Sequence, residues 1–226
     1  MKRLVRTAAL VMTAVLSLAA GKPHPNWNAT VTVTPKGTHV LGNPNATVKV
    51  TEFVSYTCPH CSTFQKQSEV PMRLAYVPPG KVSIEVRHLL RDPIDLTVAM
   101  LTNCGSPEGF FKRHHVFLGG QDKWLVRMGS TSEAQRKRWT TGEMSTRLRA
   151  IASDFKFYPI MASFGYSRSA VDRCLSDKDM AEKLTAQTKA ASELGVTGTP
   201  SFAIDGLLLA ATHSWSDLEP QIKARL

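Results

Sequence analysis

Apolar positions recur along this chain with two periods, and the change from one to the other marks out the elements. Residues 47–54 read Thr-Val-Lys-Val-Thr-Glu-Phe-Val, alternating and β-branched, which predicts a central strand. Residues 81–89 repeat the pattern, with Val82, Ile84 and Val86 on one face. Between them, 59–75 predicts a helix that Pro71 kinks or splits, and Pro78-Pro79-Gly80 breaks the chain. A shorter strand is expected over 38–41, followed by the turn cluster Gly42-Asn43-Pro44-Asn45.

From residue 94 the spacing becomes helical and stays so. Residues 94–104 form one predicted helix, with Gly105 as its C-cap, and Ser106-Pro107 opens another with Ser106 as N-cap. Gly119-Gly120 marks a break, and further helices are expected over 131–139, 142–153, 167–175 and 177–194. Strands return at 201–204 and 207–210, joined through Asp205-Gly206, a two-residue hairpin turn. Ser216-Asp217-Leu218-Glu219 reads as a capping box that opens a last helix to Leu226, with Pro220 in its first turn. Without the helical block, a β-α-β unit followed by a β-β-α unit remains, which is an α/β arrangement.

The candidate chemistry lies where the first strong strand meets its helix, at Cys58-Pro59-His60-Cys61. Two cysteines at this spacing can close a small disulfide ring. A helix N-terminus presents unpaired N–H groups and partial positive charge, which favour a thiolate at Cys58. Pro59 suits the first helical position, where a missing N–H costs nothing. A stabilised thiolate makes the disulfide easier to reduce, and so a better oxidant of other thiols.

The ends of the chain change the setting. Lys2, Arg3 and Arg6 precede a short apolar stretch and small residues suited to cleavage, so residues 1–20 are expected to be a signal peptide rather than a retained anchor, and 21–36 a flexible leader. The formal charge of +10 falls to +7 without those three cations. The remaining basic clusters, such as Arg136-Lys137-Arg138, read as solvated helix faces with no nucleic-acid motif beside them. Four cysteines in an exported chain point to disulfide chemistry. Cys104 and Cys174 are left over from the local pair. They are expected to form a structural bridge, contributing roughly 4 kcal/mol through chain entropy, rather than to remain two buried free thiols.

Gly198-Thr199-Pro200-Ser201 leads into the hairpin. The order of elements sets Thr199-Pro200 across from the dithiol, where a cis peptide would turn the Thr199 backbone toward a substrate. Residues 52–61, Phe64, the helical block and 196–200 together resemble the DsbA-like thiol:disulfide oxidoreductases of the thioredoxin superfamily. The resemblance covers nearly all of the chain after the leader. It implies a thioredoxin fold in two parts, 37–93 and 195–226, around a helical insertion at 94–194. It further implies that Cys58 is the nucleophile, Cys61 the resolving cysteine, Pro200 the cis-proline and Thr199 the residue before it. Glu52 matches the family's acidic residue beneath the site, a proton relay for Cys61. His60 matches the dipeptide position that tunes the thiolate. No cofactor beyond the disulfide and no metal is expected. The implied partners are unfolded or partly folded exported proteins and a membrane reoxidant of the DsbB type, and the implied setting is periplasmic or otherwise exported, as a monomer. Thr199 departs from the valine common in the best-known oxidases, and Cys104 and Cys174 lie outside the minimal two-cysteine pattern, so the direction of exchange stays open.

Three alternatives remain at this stage. The same chemistry can run toward isomerisation or reduction. The protein can be a non-catalytic chaperone with Cys58–Cys61 as a staple. A zinc site from Cys58, His60 and Cys61 lacks the usual second ligand pair. His114-His115 and His213 read as surface or packing residues.

Overall fold

The computed structural model describes residues 25–226; the expected signal peptide at 1–20 lies outside them. Among the described residues the chain runs β1 (Val31–Val33), β2 (His39–Gly42), β3 (Val48–Val54), α1 (Pro59–Pro71), β4 (Val82–His88), then α2 (Pro93–Thr102), α3 (Phe110–Gly119), α4 (Gln121–Leu125), α5 (Glu133–Thr140), α6 (Met144–Asp154), α7 (Phe157–Ala162), α8 (Arg168–Cys174) and α9 (Lys178–Glu193), and closes with β5 (Ser201–Ile204), β6 (Leu207–Leu208) and α10 (Trp215–Lys223).

The sheet order is β1-β2-β4-β3-β5-β6. β3 and β4 are parallel, as a βαβ crossover through α1 requires, and the other neighbours are antiparallel. β3 lies between β4 and β5 and is buried at every position but Lys49, which explains its near-continuous apolar run. Alternate residues go to opposite faces. Val50, Glu52 and Val54 lie under α1, while Phe53 meets Ala191, Val196 and Ala203 on the other side. Phe64, on the inner face of α1, packs with tilted rings at 4.6 Å against Phe202 of β5 and at 6.3 Å against Trp215 of α10, fixing α1 over the middle of the sheet.

Several details differ from the sequence reading. The segment expected as a loose leader already carries a turn at Trp27–Ala29 and the edge strand β1. It is tied down by Asn28 and Arg73, each donating to the other's backbone carbonyl. Pro71 ends the α-helical bonding, but the chain continues as a wider turn over Met72–Tyr76. The Ser106 side chain caps no helix; Pro107–Gly109 is a 3₁₀ turn, and α3 starts at Phe110. The last helix is capped by Ser214, which accepts from the Asp217 N–H, so Ser216 lies inside it and Pro220 sits at its sixth position. α4 and α7 lie where no element is expected. Cys104 and Cys174 form a disulfide with a Cα–Cα distance of 5.6 Å, tying the end of α2 to the end of α8. No helix among the described residues is long and apolar enough to cross a membrane.

Candidate active site

After β3 the chain turns through Ser55-Tyr56-Thr57, buried throughout, into Cys58. Cys58 is the N-cap of α1, with extended backbone (φ −92°, ψ 116°), and Pro59 takes the first helical position. Cys61, Phe64, Gln65 and Ser68 form the buried face of the helix at i, i+3, i+4, i+7 spacing, so Cys61 points inward. Both cysteines are free.

Their environments divide their charge. The Cys58 thiol is lowered to about 5. The largest cause is a hydrogen bond from Cys61; burial opposes it, and the Thr199 side chain and the backbone N–H groups of Cys61 and His60 reinforce it. Cys61 is pushed up, first by burial, then by the neighbouring Cys58 sulfur, and the Glu52 carboxylate, once ionised, acts in the same direction. At neutral pH one sulfur is a thiolate and the other a thiol. His60 contributes through its main chain, and its ring is exposed to solvent.

The opposite wall is the loop before β5. The Thr199–Pro200 peptide is cis, and the Thr199 carbonyl lies 3.1 Å from Cys58 Sγ, accepting from the thiol when it is protonated. His213 Nδ1 donates to the Pro200 carbonyl at 2.8 Å, and the Ser201 hydroxyl donates to the Gly198 carbonyl, so the loop is braced from both ends.

Glu52 sits beneath, buried at 1 % exposure and paired across the sheet with Val86 and Phe202. Burial, aided by the Glu69 carboxylate, raises its carboxyl to about 8. Among the described residues its Oε1 has no hydrogen-bond partner, and Glu52 lines a cavity of about 20 Å³ together with Gln65, Glu69, Arg73 and His114. That is room for one water. The structure thus brings Glu52, Cys58, Pro59, Cys61, Thr199 and Pro200 to one place and leaves Cys104–Cys174 in the helical block.

Other residues at the site have no motif. The Asp95 carboxylate accepts from the Ser55 hydroxyl at 2.5 Å and from the Tyr56 N–H at 2.8 Å, and Asp92 accepts from the Thr57 hydroxyl at 2.7 Å. His114 Nδ1 meets the Tyr56 hydroxyl at 2.8 Å, and its Nε2 meets Gln65 Oε1 at 3.0 Å. The only sequence hint of Asp92 is its fitness as the N-cap of α2.

A pair of sulfurs held in opposite protonation states is arranged for thiol–disulfide exchange. The thioredoxin family profile matches residues 34–224, and the chain belongs to that family. It is 54 % identical to the crystal structure of a protein-disulfide isomerase from Novosphingobium aromaticivorans, over 84 % of this chain and 97 % of that one, with a TM-score of 0.80. Wolbachia pipientis alpha-DsbA1, 21 % identical, shares the fold over 85 % of this chain and 92 % of its own at a TM-score of 0.65. Provisionally named protein-disulfide oxidoreductases of Rickettsia typhi and Rickettsia bellii are each 28 % identical over 74 % of this chain. The match spans little more than half the length of those two relatives, 54 % and 57 %.

Proposed function

We propose that this protein is an exported, periplasmic thiol:disulfide oxidoreductase that hands a Cys58–Cys61 disulfide to reduced exported proteins, with no cofactor beyond that disulfide. The observation that carries the reading is the Cys58 sulfur at the N-terminus of α1, its thiol lowered to about 5 and set against the Thr199 carbonyl.

In the oxidised protein a substrate thiolate attacks Cys58 Sγ. A mixed disulfide forms, the Cys58–Cys61 bond breaks, and Cys61 leaves with the electron pair. Its high proton affinity requires a proton, and Glu52, protonated at neutral pH, is the donor beneath it. A second substrate thiolate attacks the substrate's own sulfur in the mixed disulfide, and Cys58 leaves as the favoured thiolate. The substrate loses two electrons and two protons. One of those protons restores Glu52, which has protonated Cys61, and the other goes to solvent. Unfolded or partly folded chains are the substrates, Thr199 and Pro200 supply their backbone contact, and a membrane reoxidant of the DsbB type closes the cycle around a monomer.

The test is the equilibrium of the Cys58–Cys61 pair against a glutathione series. A potential nearer about −120 mV than about −270 mV is expected. A value near or below the lower figure overturns the oxidase reading and leaves a reductase or a structural staple. The 54 % identity to a protein named a disulfide isomerase favours a second reading, in which the same exchange reshuffles wrong bridges. Reactivation of a scrambled substrate at constant total disulfide would select it over net oxidation.

A further inference from the structure

The loop from β3 to α1 is buried, so its main-chain polar groups need partners. Asp95, at the start of α2, accepts from the Tyr56 N–H, and it and Asp92 accept from the Ser55 and Thr57 hydroxyls. The carbonyls are met by a single side chain from α4. Gln121 Nε2 lies 2.6 Å from the Tyr56 carbonyl and 2.9 Å from the Cys58 carbonyl, one amide hydrogen for each. Gln121 is itself buried, at 3 % exposure.

The Cys58 carbonyl also accepts the first main-chain bond of α1, from the Ser62 N–H, and at 3.3 Å that bond is longer than the one from Gln121. The N-cap is therefore held from outside the helix as well as from within. Both carbonyls belong to the buried loop that carries Cys58, where the negative end of an uncovered dipole opposes negative charge on the sulfur. The Gln121 amide covers them.

We propose that Gln121 is a positioning residue for the thiol chemistry: reaching in from the helical block, it fixes the N-cap of α1, covers the Tyr56 and Cys58 carbonyls and so favours the reduced dithiol over the disulfide. Its removal makes the Cys58–Cys61 bridge harder to reduce.

Gln121→Met keeps the length of the side chain and removes both donors. The glutathione equilibrium of this variant is expected to shift about tenfold toward the disulfide, about 30 mV for a two-electron couple. The ultraviolet absorbance of the Cys58 thiolate should titrate at higher pH than in the parent. A purely structural residue would lower the unfolding free energy of oxidised and reduced protein equally and leave both readings within about twofold, and that result overturns the inference. If Gln121→Met does not fold, Gln121→Asn decides by the same readings, since its amide is one methylene too short to span both carbonyls. The inference rests on the exchange reading above. A parent protein that does not equilibrate with glutathione fails that reading, whereas an equilibrating parent beside an unshifted variant fails only the role of Gln121.

Discussion

The division of charge between Cys58 and Cys61 has a direct signature. With Cys58 lowered to about 5 and Cys61 raised, reduction between pH 5 and 8 takes up two electrons and one proton. The potential should fall by about 30 mV per pH unit in that range and by about 59 mV per unit below pH 5. Measured from pH 4 to 8, a single slope of about 59 mV would mean that Cys58 is not ionised. The same group acts on stability. Between pH 5 and 9 the unfolded reduced chain holds a proton that the folded one has lost, so the reduced form gains stability as pH rises through that window. Glu52 works the other way. Its folded value of about 8 lies above the ordinary 4.5, so its contribution falls as pH rises between the two.

At the scale of elements, the Cys104–Cys174 bridge joins two helices across a separation of 70 residues. Replacing both cysteines by alanine should cost about 4 kcal/mol in the chain-entropy account. Denaturant unfolding, with Cys58–Cys61 held in one redox state, measures it, and a loss below about 1 kcal/mol would contradict that account. How far the elements were readable follows from their length. β3, β4 and α9 extend over enough residues to show a period, and the Cys58–Cys61 spacing and Thr199–Pro200 are local signals. α4 has five residues and α7 six, too few for a pattern to repeat, and β1 has three. The expected Ser216 cap of α10 fails because Ser214 also has an acid three residues on and accepts from the Asp217 N–H, while the Tyr76 hydroxyl donates to Glu219 at 2.7 Å, the acid a Ser216 box needs. Gln121, Asp95 and His114 reach the site across 39 to 65 positions of sequence, a distance at which residue type alone carries no pairing information.

Across the whole molecule, three buried histidines connect the sheet to the helical block. His39 of β2 stacks on Phe110 of α3 at 3.9 Å, His88 of β4 meets the same ring edge-on, and His114 stacks on it one turn later. Burial lowers them to about 4, 3 and 3; Arg113 near His39, the other histidines around His88, and His115 and Arg73 near His114 add to the effect. Below pH 6.5 the unfolded chain binds protons that these rings refuse, so their contribution is lost as pH falls toward 4. Buried Glu52 and Asp95 offset part of that loss, since each keeps a folded-state proton that the unfolded chain sheds. His114→Gln should therefore reduce the pH slope of unfolding free energy by about one proton, about 1.4 kcal/mol per unit, between pH 5 and 6. An unchanged slope would mean that His114 is not held neutral.

The contact between Cys58 and Thr199 spans 141 positions of sequence, so the dithiol and its facing wall do not exist at the same time while the chain is being made. Synthesis from the N-terminus delivers Cys58 and Cys61 early and the loop before β5 near the end. Until β5 is laid beside β3, Cys58 lacks its Thr199 partner and keeps more of the character of an ordinary thiol. The hydrogen bond from Cys61, the largest cause of the lowered thiol, comes from the same helix turn and is available early, and the Thr199 share is added only with completion of the sheet.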